Sequence, residues 1–181
     1  MTKTNSIAGG VLGAATVATG LVAGVFSIFA CTVMPALARS DDRVYVQVMR
    51  DIDDVIQNPV FLLGFMGALL LTGCSAWQSR GTPYRRWAWA AFTAYALAFL
   101  VTVVFNIPLN DELADTADVT TARERFEDPW VAWNVVRAVL STLAVGCLTR
   151  GLVSYGRWQR TSVGPVGPVA SRPKGSGGRR A

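Results

Sequence analysis

The sequence contains no histidine and only three cysteines. The lack of histidine excludes a histidine-ligated haem, metal sites that need histidine, and Ser–His or Cys–His nucleophilic catalysis. Cys31, Cys74 and Cys147 stand singly in separate apolar segments, without a Cys-x-x-Cys motif, so we prefer a packing role for them. No glycine-rich phosphate loop follows a strand pattern, and the acidic segments have no metal-ligand spacing. We therefore expect no metal and no cofactor.

Charged residues are also scarce, at 16% of the chain, and three long windows contain none: residues 4–38, 55–79 and 87–110. A fourth apolar run, from about Trp130 to Thr149, is interrupted only by Arg137. A helix needs roughly 20 apolar residues to cross the hydrocarbon of a bilayer. The pattern predicts an all-α integral membrane four-helix bundle, with helices at about 7–33, 59–77, 87–106 and 131–153.

The N-terminal segment has some features of a secretory signal peptide. Lys3 precedes an apolar run, and Ala36-Leu37-Ala38 looks like a cleavage site. However, the run from Ile7 to Ala30 is longer than the roughly 7–15 residues of a signal core. We expect an uncleaved first helix.

The charges are distributed unevenly along this topology. Eleven basic residues fall on the side of the two termini and five on the other side, so the positive-inside rule predicts cytoplasmic termini, in a plasma membrane. All twelve Asp and Glu residues lie in the two outer loops, 35–58 and 107–129. The net charge of +5 therefore reflects a basic cytoplasmic face paired with an acidic outer face. We expect a lipid bilayer around the helices and no nucleic-acid partner.

The chain divides into a transmembrane domain, residues 1–155, and a basic, Gly/Pro-rich tail, residues 156–181, which we expect to be disordered. In the first helix, Gly20 and Gly24 form a GxxxG step that permits close backbone approach. We prefer packing inside the bundle over dimerisation, and the sequence leaves the oligomeric state open.

The first outer loop contains apolar residues at spacings of three and four, which predict a short amphipathic helix across the mouth of the bundle. These residues are Val44, Val48, Ile52, Val55 and Ile56. Packing onto the bundle is a sufficient explanation for such a helix.

Polar side chains converge at the outer mouth. Asn106 and Asn110 flank Pro108, which should end the third helix, while Asn134 and Arg137 open the fourth. Trp130, Asn134, Arg137 and Ser141 share one helix face because their spacings are four, three and four. An arginine one to two turns inside a membrane helix is expensive and generally faces a bundle interior or a wet cavity.

Structural roles are the alternative. Asn106 and Asn134 can cap and bridge helices, and Arg137 can reach the surface or pair with Asp111 or Glu112. For Arg137 with Asn134 and Asn110 we favour a small-molecule site, because a guanidinium offers planar donors to an oxyanion.

These motifs resemble the anthrone oxygenase-like family of small four-helix membrane proteins. The resemblance covers about residues 10–150. It rests on Gly24-Val25-Phe26-Ser27, Met34-Pro35-Ala36-Leu37, Asn58-Pro59, Phe105-Asn106-Ile107-Pro108-Leu109-Asn110, Trp130 and Trp133-Asn134-Val135-Val136-Arg137. It implies oxidation of anthrones to anthraquinones by molecular oxygen, without metal or flavin, and brings no catalytic residue with it.

The resemblance and the polar residues together suggest a hypothesis for a hydrophobic aromatic substrate. Arg137 and Asn134 would stabilise an oxyanion, Asn106 and Asn110 would orient the carbonyl and phenols, and Asp111, or else Glu112, would be the base. The remaining contacts are expected from Trp130, Trp133, Phe105, Asn58 and Met34.

We therefore predict a cofactor-independent oxygenase of an aromatic polyketide or phenol. The alternative is a non-catalytic membrane protein that binds a lipid, quinone or partner helix at the outer mouth. A third hypothesis, a transporter subunit, has less support than these two, because the sequence shows no internal repeat and no interrupted helix near the membrane centre.

Overall fold

The computed structural model describes residues 2–162, with side chains from Ile7 to Thr161. That part of the chain is helical and has no strand. The tail beyond residue 162 lies outside the described residues, whereas residues 156–162 continue the last helix. The helices are α1 Thr2–Ile28, α2 Met34–Leu37, α3 Asp42–Ile56, α4 Pro59–Gln78, α5 Arg85–Val101, α6 Ile107–Asp115 and α7 Val119–Ser162.

Four stretches are long and apolar enough to cross a membrane: Ile7–Leu37, Pro59–Gln78, Arg85–Asp115 and Val119–Thr161. α1 packs against α4, α4 against α5, α5 against α7 and α7 against α1, which closes a ring of four helices. Large apolar side chains such as Leu21 and Leu63 stay exposed on the outside of the ring, as expected for surfaces that face acyl chains. The predicted four-helix membrane bundle is confirmed.

The first and third spans continue past their prolines. A π-helical turn, Phe29–Val33, precedes Pro35, and a second π-helical turn, Thr102–Asn106, precedes Pro108. Proline lacks an N–H and crowds the preceding turn, and the wider π turn absorbs this disruption without ending the helix. The prediction that Pro108 ends the third helix is therefore wrong: the helix runs on as α6.

The fourth span begins earlier than predicted, at Val119, and contains Pro129 in its interior. Its first three turns bury Ala122, Phe126 and Trp130 at a spacing of four. This apolar stripe packs against α3 and α6. Its burial explains why residues read as loop form helix instead.

α3 confirms the amphipathic helix expected in the first loop, but the stripe predicted for it is only partly right: Ile52 packs against the core under α3, and the fully buried residues are others. The buried residues are Tyr45, Val46 and Met49, whereas Val44 and Val55 are exposed. Apolar residues line more than one face of this helix, and packing on α6 and α7 selects the face with the two largest side chains. α3 and α6 together cover one end of the bundle, which we call the α3 end.

The GxxxG step does not pack inside the bundle as we expected. Among the described residues, none comes within 4 Å of a Cβ placed at Gly20 or Gly24. The close approach of α1 to α7 falls instead at Gly9, where an added Cβ would lie 2.8 Å from the Tyr155 ring.

Arg50 ties α3 to the end of α6. Its Nε and Nη2 donate to the Leu113 carbonyl at 3.0 and 2.6 Å, and Nη2 also donates to the Thr116 carbonyl at 2.7 Å. These carbonyls belong to the last turn of α6 and the residue after it, where intrahelical donors run out. Arg50 therefore fixes α3 over the bundle.

We expect Arg50→Ala to lower the free energy of unfolding by about 1–3 kcal/mol, because charge-assisted hydrogen bonds to partly buried carbonyls are lost. Thermal unfolding of the detergent-purified protein measures the effect. Arg43→Ala, an exposed change on the same helix, is the matched control. Equal melting temperatures for the two variants would contradict this role of Arg50.

Candidate functional site

A cavity of about 280 Å³ lies beneath α3, between α1, α4, α6 and α7. Its volume is just below the roughly 300–1,000 Å³ that is usual for small-molecule sites. Its lining combines polar side chains from several helices with apolar and aromatic ones. The polar lining residues are Asp53, Gln57, Thr102, Asn106, Asn110, Asp111, Asn134 and Arg137; the apolar ones are Val25, Phe26, Phe29, Met49, Ile52, Ile56, Phe61, Leu62, Phe65, Ile107 and Trp130.

Arg137 lies at the floor of this cavity with only 6% of its surface exposed. Nη2 donates to Asn134 Oδ1 at 3.0 Å, and Nη1 reaches Thr102 Oγ1 at 3.4 Å. Its guanidinium carbon lies 4.4 Å from the centre of the Phe26 ring and 5.4 Å from that of Trp130. The guanidinium is therefore held by neutral groups alone.

No carboxylate within the described chain pairs with Arg137. Glu112, one of its expected partners, instead lies 3.5 Å from Arg125 on the exposed side of α6. Arg137 Nε has no hydrogen-bond partner among the described residues. The alternatives of an ion pair with Asp111 or Glu112 and of a surface-reaching arginine are therefore wrong.

Asn134 orients Arg137. Its side chain is fully buried: Oδ1 accepts from Arg137, and Nδ2 donates to the Phe26 carbonyl at 3.1 Å. α7 is thereby linked to α1 at the level of the cavity. Since both ends of the amide are engaged, Asn134 holds the arginine in place and has little capacity left for a ligand.

Asn106 differs from Asn134 in its hydrogen bonding. It is 1% exposed and lines the cavity, yet neither its Nδ2 nor its Oδ1 has a partner within the described residues. Leaving a buried amide unsatisfied costs about 1–3 kcal/mol. The cavity lining therefore contains an amide and a guanidinium Nε that no described residue satisfies, and both are available to a polar ligand.

A chain of hydrogen bonds connects four further side chains of the lining. Trp130 Nε1 donates to Asn110 Oδ1 at 2.8 Å, and Asn110 Nδ2 donates to Asp53 Oδ1. Gln57 Nε2 donates to Asp53 Oδ2 at 3.2 Å. These bonds join α7, α6 and α3, and they fix the Asp53 carboxylate at the cavity.

Partial burial raises the pKa of Asp53 above the usual range of an aspartate. The hydrogen bonds from Asn110 and Gln57 act in the opposite direction, and the charges of Asp111 and Asp54 raise the pKa further. A half-buried carboxylate with a raised pKa is a stronger proton acceptor once ionised than an exposed one. Asp53 was not among our predicted site residues.

Six of the ten predicted site residues line the cavity: Asn106, Asn110, Asp111, Trp130, Asn134 and Arg137. Asp111 stands exposed at its rim. The convergence of polar groups from the third and fourth spans was predictable, since antiparallel spans bring these ends together.

The structure does not bring the other four to the cavity. Asn58 caps α4, accepting from the Val60 and Phe61 backbone at 3.0 Å. Met34 is buried under α3 in an apolar cluster with Tyr45 and other side chains. Phe105 and Trp133 stack on one another, with ring centres 3.8 Å apart, away from the cavity.

The aromatic walls come instead from Phe26, Phe29, Phe61 and Phe65, with Trp130 from the predicted set. Phe65 stacks on Phe61 with ring centres 5.8 Å apart, and Phe29 lies 5.9 Å from Trp130. Planar rings around a polar floor suit a flat polycyclic ligand with a carbonyl or phenol at one edge.

We expect Asn106→Leu to raise the melting temperature, because it removes an unsatisfied buried amide while nearly conserving volume. Thermal unfolding in detergent measures the change. Asn58→Ala should shift the melting temperature in the opposite direction, since it removes a helix cap worth about 1 kcal/mol. A lower melting temperature for Asn106→Leu would show that the amide has a structural partner.

The fold and the site define a small four-helix membrane protein with a buried arginine–asparagine cavity. Residues 55–147, slightly more than half of the chain, match the family model described as Anthrone oxygenase. The chain therefore belongs to the anthrone oxygenase family. The match includes Asn106, Asn110, Asn134 and Arg137, but it begins just after Asp53. A search of the curated proteins and a search of the solved structures each find no match.

Proposed function

We propose that this protein is a cofactor-independent oxygenase that converts an anthrone, or a phenol of similar acidity, to the corresponding quinone. One observation carries the proposal. Within the described residues, an arginine without a carboxylate partner and an asparagine without any hydrogen-bond partner line an aromatic-walled cavity that also contains a carboxylate. This is the set of groups needed to remove a proton from a flat carbon acid and to stabilise the resulting enolate.

Asp53 is the proposed base. It takes a proton from the acidic ring carbon between the two aromatic rings of the anthrone, and Asn110 and Gln57 hold its carboxylate in position. Asp111, exposed at the rim of the cavity, is the second candidate. Asn110 thereby becomes a positioning residue, because its amide is engaged by Asp53 and Trp130.

Arg137 and Asn106 are the proposed oxyanion donors. The negative charge of the enolate develops on the carbonyl oxygen at the opposite edge of the ring system. In a dry site, prearranged donors stabilise developing charge far better than water does. Among the described residues, neither Arg137 Nε nor Asn106 Nδ2 has an acceptor, so both can donate to a ligand, whereas Asn134 accepts from the guanidinium and holds it in place.

The enolate supplies the electrons for oxygen. Its ring carbon bonds to O₂, by electron transfer followed by recombination, and the peroxide takes the proton held by Asp53. Loss of the second ring proton then breaks the O–O bond. The substrate exchanges two hydrogens for one oxygen atom, and the other oxygen atom leaves as water with both hydrogens. No further reductant is needed.

We further propose that the protein lies in a plasma membrane with both termini on the cytoplasmic side. The distribution of basic residues supports this orientation. The α3 end, with its acidic segments, would then face outward. Labelling of single cysteines at Ser40 and Gly81 with an impermeant maleimide, on intact cells of a variant lacking the three native cysteines, tests it. Labelling at Gly81 alone would contradict the orientation.

Oxygen uptake by the detergent-purified, metal-stripped protein with emodin anthrone tests the function. We expect uptake above the spontaneous rate, with one quinone formed per O₂ consumed. Uptake at the spontaneous rate would refute activity on this substrate. If the quinone still binds, the alternative of a non-catalytic quinone- or lipid-binding protein gains support, because the same cavity would hold the ligand under either hypothesis.

A further inference from the structure

A second concave surface opens on the side of the bundle between α1, α3 and α4, with a volume of about 510 Å³. We call it the lateral groove. It shares Val25, Phe29, Ile52, Ile56 and Phe61 with the cavity. The groove and the cavity therefore meet along a common apolar boundary.

The packing of α3 explains the opening. Among the described helices, α3 packs chiefly on α6 and α7. The opposite edge of α3, which carries Val48 and Val55, overhangs α1 and the first turn of α4. Val55 is 71% exposed there, and Leu63, one turn along α4, is 75% exposed. Exposed apolar side chains at the start of a membrane span lie at the level of the acyl chains.

The charges at the α3 end make the aqueous route unfavourable for an anion. All twelve acidic residues of the chain lie in the segments at this end, against five arginines before α7 enters the bundle. An ionised phenol approaching through water would meet this negative field. A neutral aromatic molecule dissolved in the bilayer would not be repelled by this field. In the groove it would meet mainly apolar side chains, with Asp51 and Asn58 as the polar residues of the lining.

We propose that the lateral groove is the entrance through which a neutral, planar aromatic substrate passes from the bilayer into the cavity, an inference that rests on the proposed function. The substrate loses its proton only at Asp53, beyond the groove, where Arg137 stabilises the anion. The neutral quinone leaves by the same path. Membrane placement of this enzyme thus concentrates its substrate beside the entrance.

Binding kinetics distinguish residues that line an entrance, which affect the rates of binding and release, from residues that hold the bound ligand, which affect the Kd. Val48 and Val55 line the groove but not the cavity. The double variant Val48→Phe/Val55→Phe should slow association of emodin, the quinone probe, roughly tenfold, with an equal slowing of dissociation and an unchanged Kd. The full chain in lipid nanodiscs is mixed rapidly with emodin, and the dye's absorbance is followed. Val44→Phe, on the same helix outside the groove, should change neither rate.

The outcomes are distinct. Unchanged rates with retained binding would overturn the lateral entrance and leave the proposed function standing. Failure of the unmodified protein to bind emodin would overturn both.

A measurement without substrate checks the path independently. Phe61→Cys, in a variant that lacks the three native cysteines, places a thiol at the boundary between groove and cavity. Pyrene maleimide dissolved in the bilayer should label it faster than a charged maleimide in the water does. Faster labelling by the charged reagent would place the opening on the aqueous side and overturn the proposal.

Discussion

Replacing Arg137 with leucine will lower the turnover of a confirmed substrate by about 10²–10³-fold, the usual cost of losing one oxyanion donor. Within the described chain, Arg137 is the only cationic residue that lines the cavity, and no carboxylate pairs with it. Arg137→Lys should recover only part of the loss, because an ammonium does not reproduce the planar donors of a guanidinium. Steady-state oxygen uptake, corrected for the spontaneous rate, measures both variants.

The same leucine substitution should stabilise the fold. Arg137 is buried and has no ionic partner among the described residues, and such a charge costs free energy that a well-packed leucine does not. A gain of about 1 kcal/mol would raise the melting temperature by roughly 2–4 °C for a chain of this size. Arg150→Leu, on the exposed surface of the same helix, is the control and should alter neither property strongly. Loss of activity together with a lower melting temperature would indicate a structural arginine instead.

Periodicity was sufficient to predict the polar face of α7. Trp130, Asn134, Arg137 and Ser141 recur at helical spacing, and all four are buried on one face. Their meeting with Asn106 and Asn110 followed from antiparallel topology. The pattern could not show which amide side chains would be hydrogen-bonded within the protein. This depends on neighbours far away in the chain, such as the Phe26 carbonyl that accepts from Asn134.

The helix ends at the α3 end were harder to predict. Pro108 and Pro35 each predict the end of a helix, because the disruption that proline causes is local and can be recognised from the sequence. The π turns that absorb this cost have no comparable pattern. The early start of α7 did have a signal, the spacing of Ala122, Phe126 and Trp130, but Pro129 and the surrounding charges obscured it.

The sequence was least able to predict which aromatic side chains line the cavity. Trp133 and Phe105 lie beside the polar motif in sequence, yet they stack on each other away from the cavity. Phe26 and Phe61 lie in uniformly apolar runs, where hydrophobic periodicity cannot tell a ligand-facing side from a lipid-facing one. Proximity along a helix is a poor guide here, because adjacent residues point about 100° apart.

Asp53→Asn will lower turnover by about 10²–10⁴-fold if Asp53 is the base, since general base catalysis contributes rate factors of this order. The raised pKa sets the pH dependence of the unmodified protein. Only the ionised carboxylate accepts a proton, so the corrected kcat/KM should rise with pH, with its midpoint above the usual pKa of an aspartate. Asp53→Asn should remove this rise. Asp54→Asn, at the adjacent exposed position, should retain it.

Stability should depend on pH in the opposite sense. Because burial raises the pKa of Asp53, the folded protein binds this proton more tightly than the unfolded chain does. The contribution of Asp53 to stability is therefore present at low pH and is lost as pH rises through its folded pKa. Asp53→Asn should abolish this dependence, while its amide still faces Asn110. If Asp53→Asn kept full turnover while Asp111→Asn lost it, the base would be Asp111 at the rim, and proton removal would take place at the mouth of the cavity.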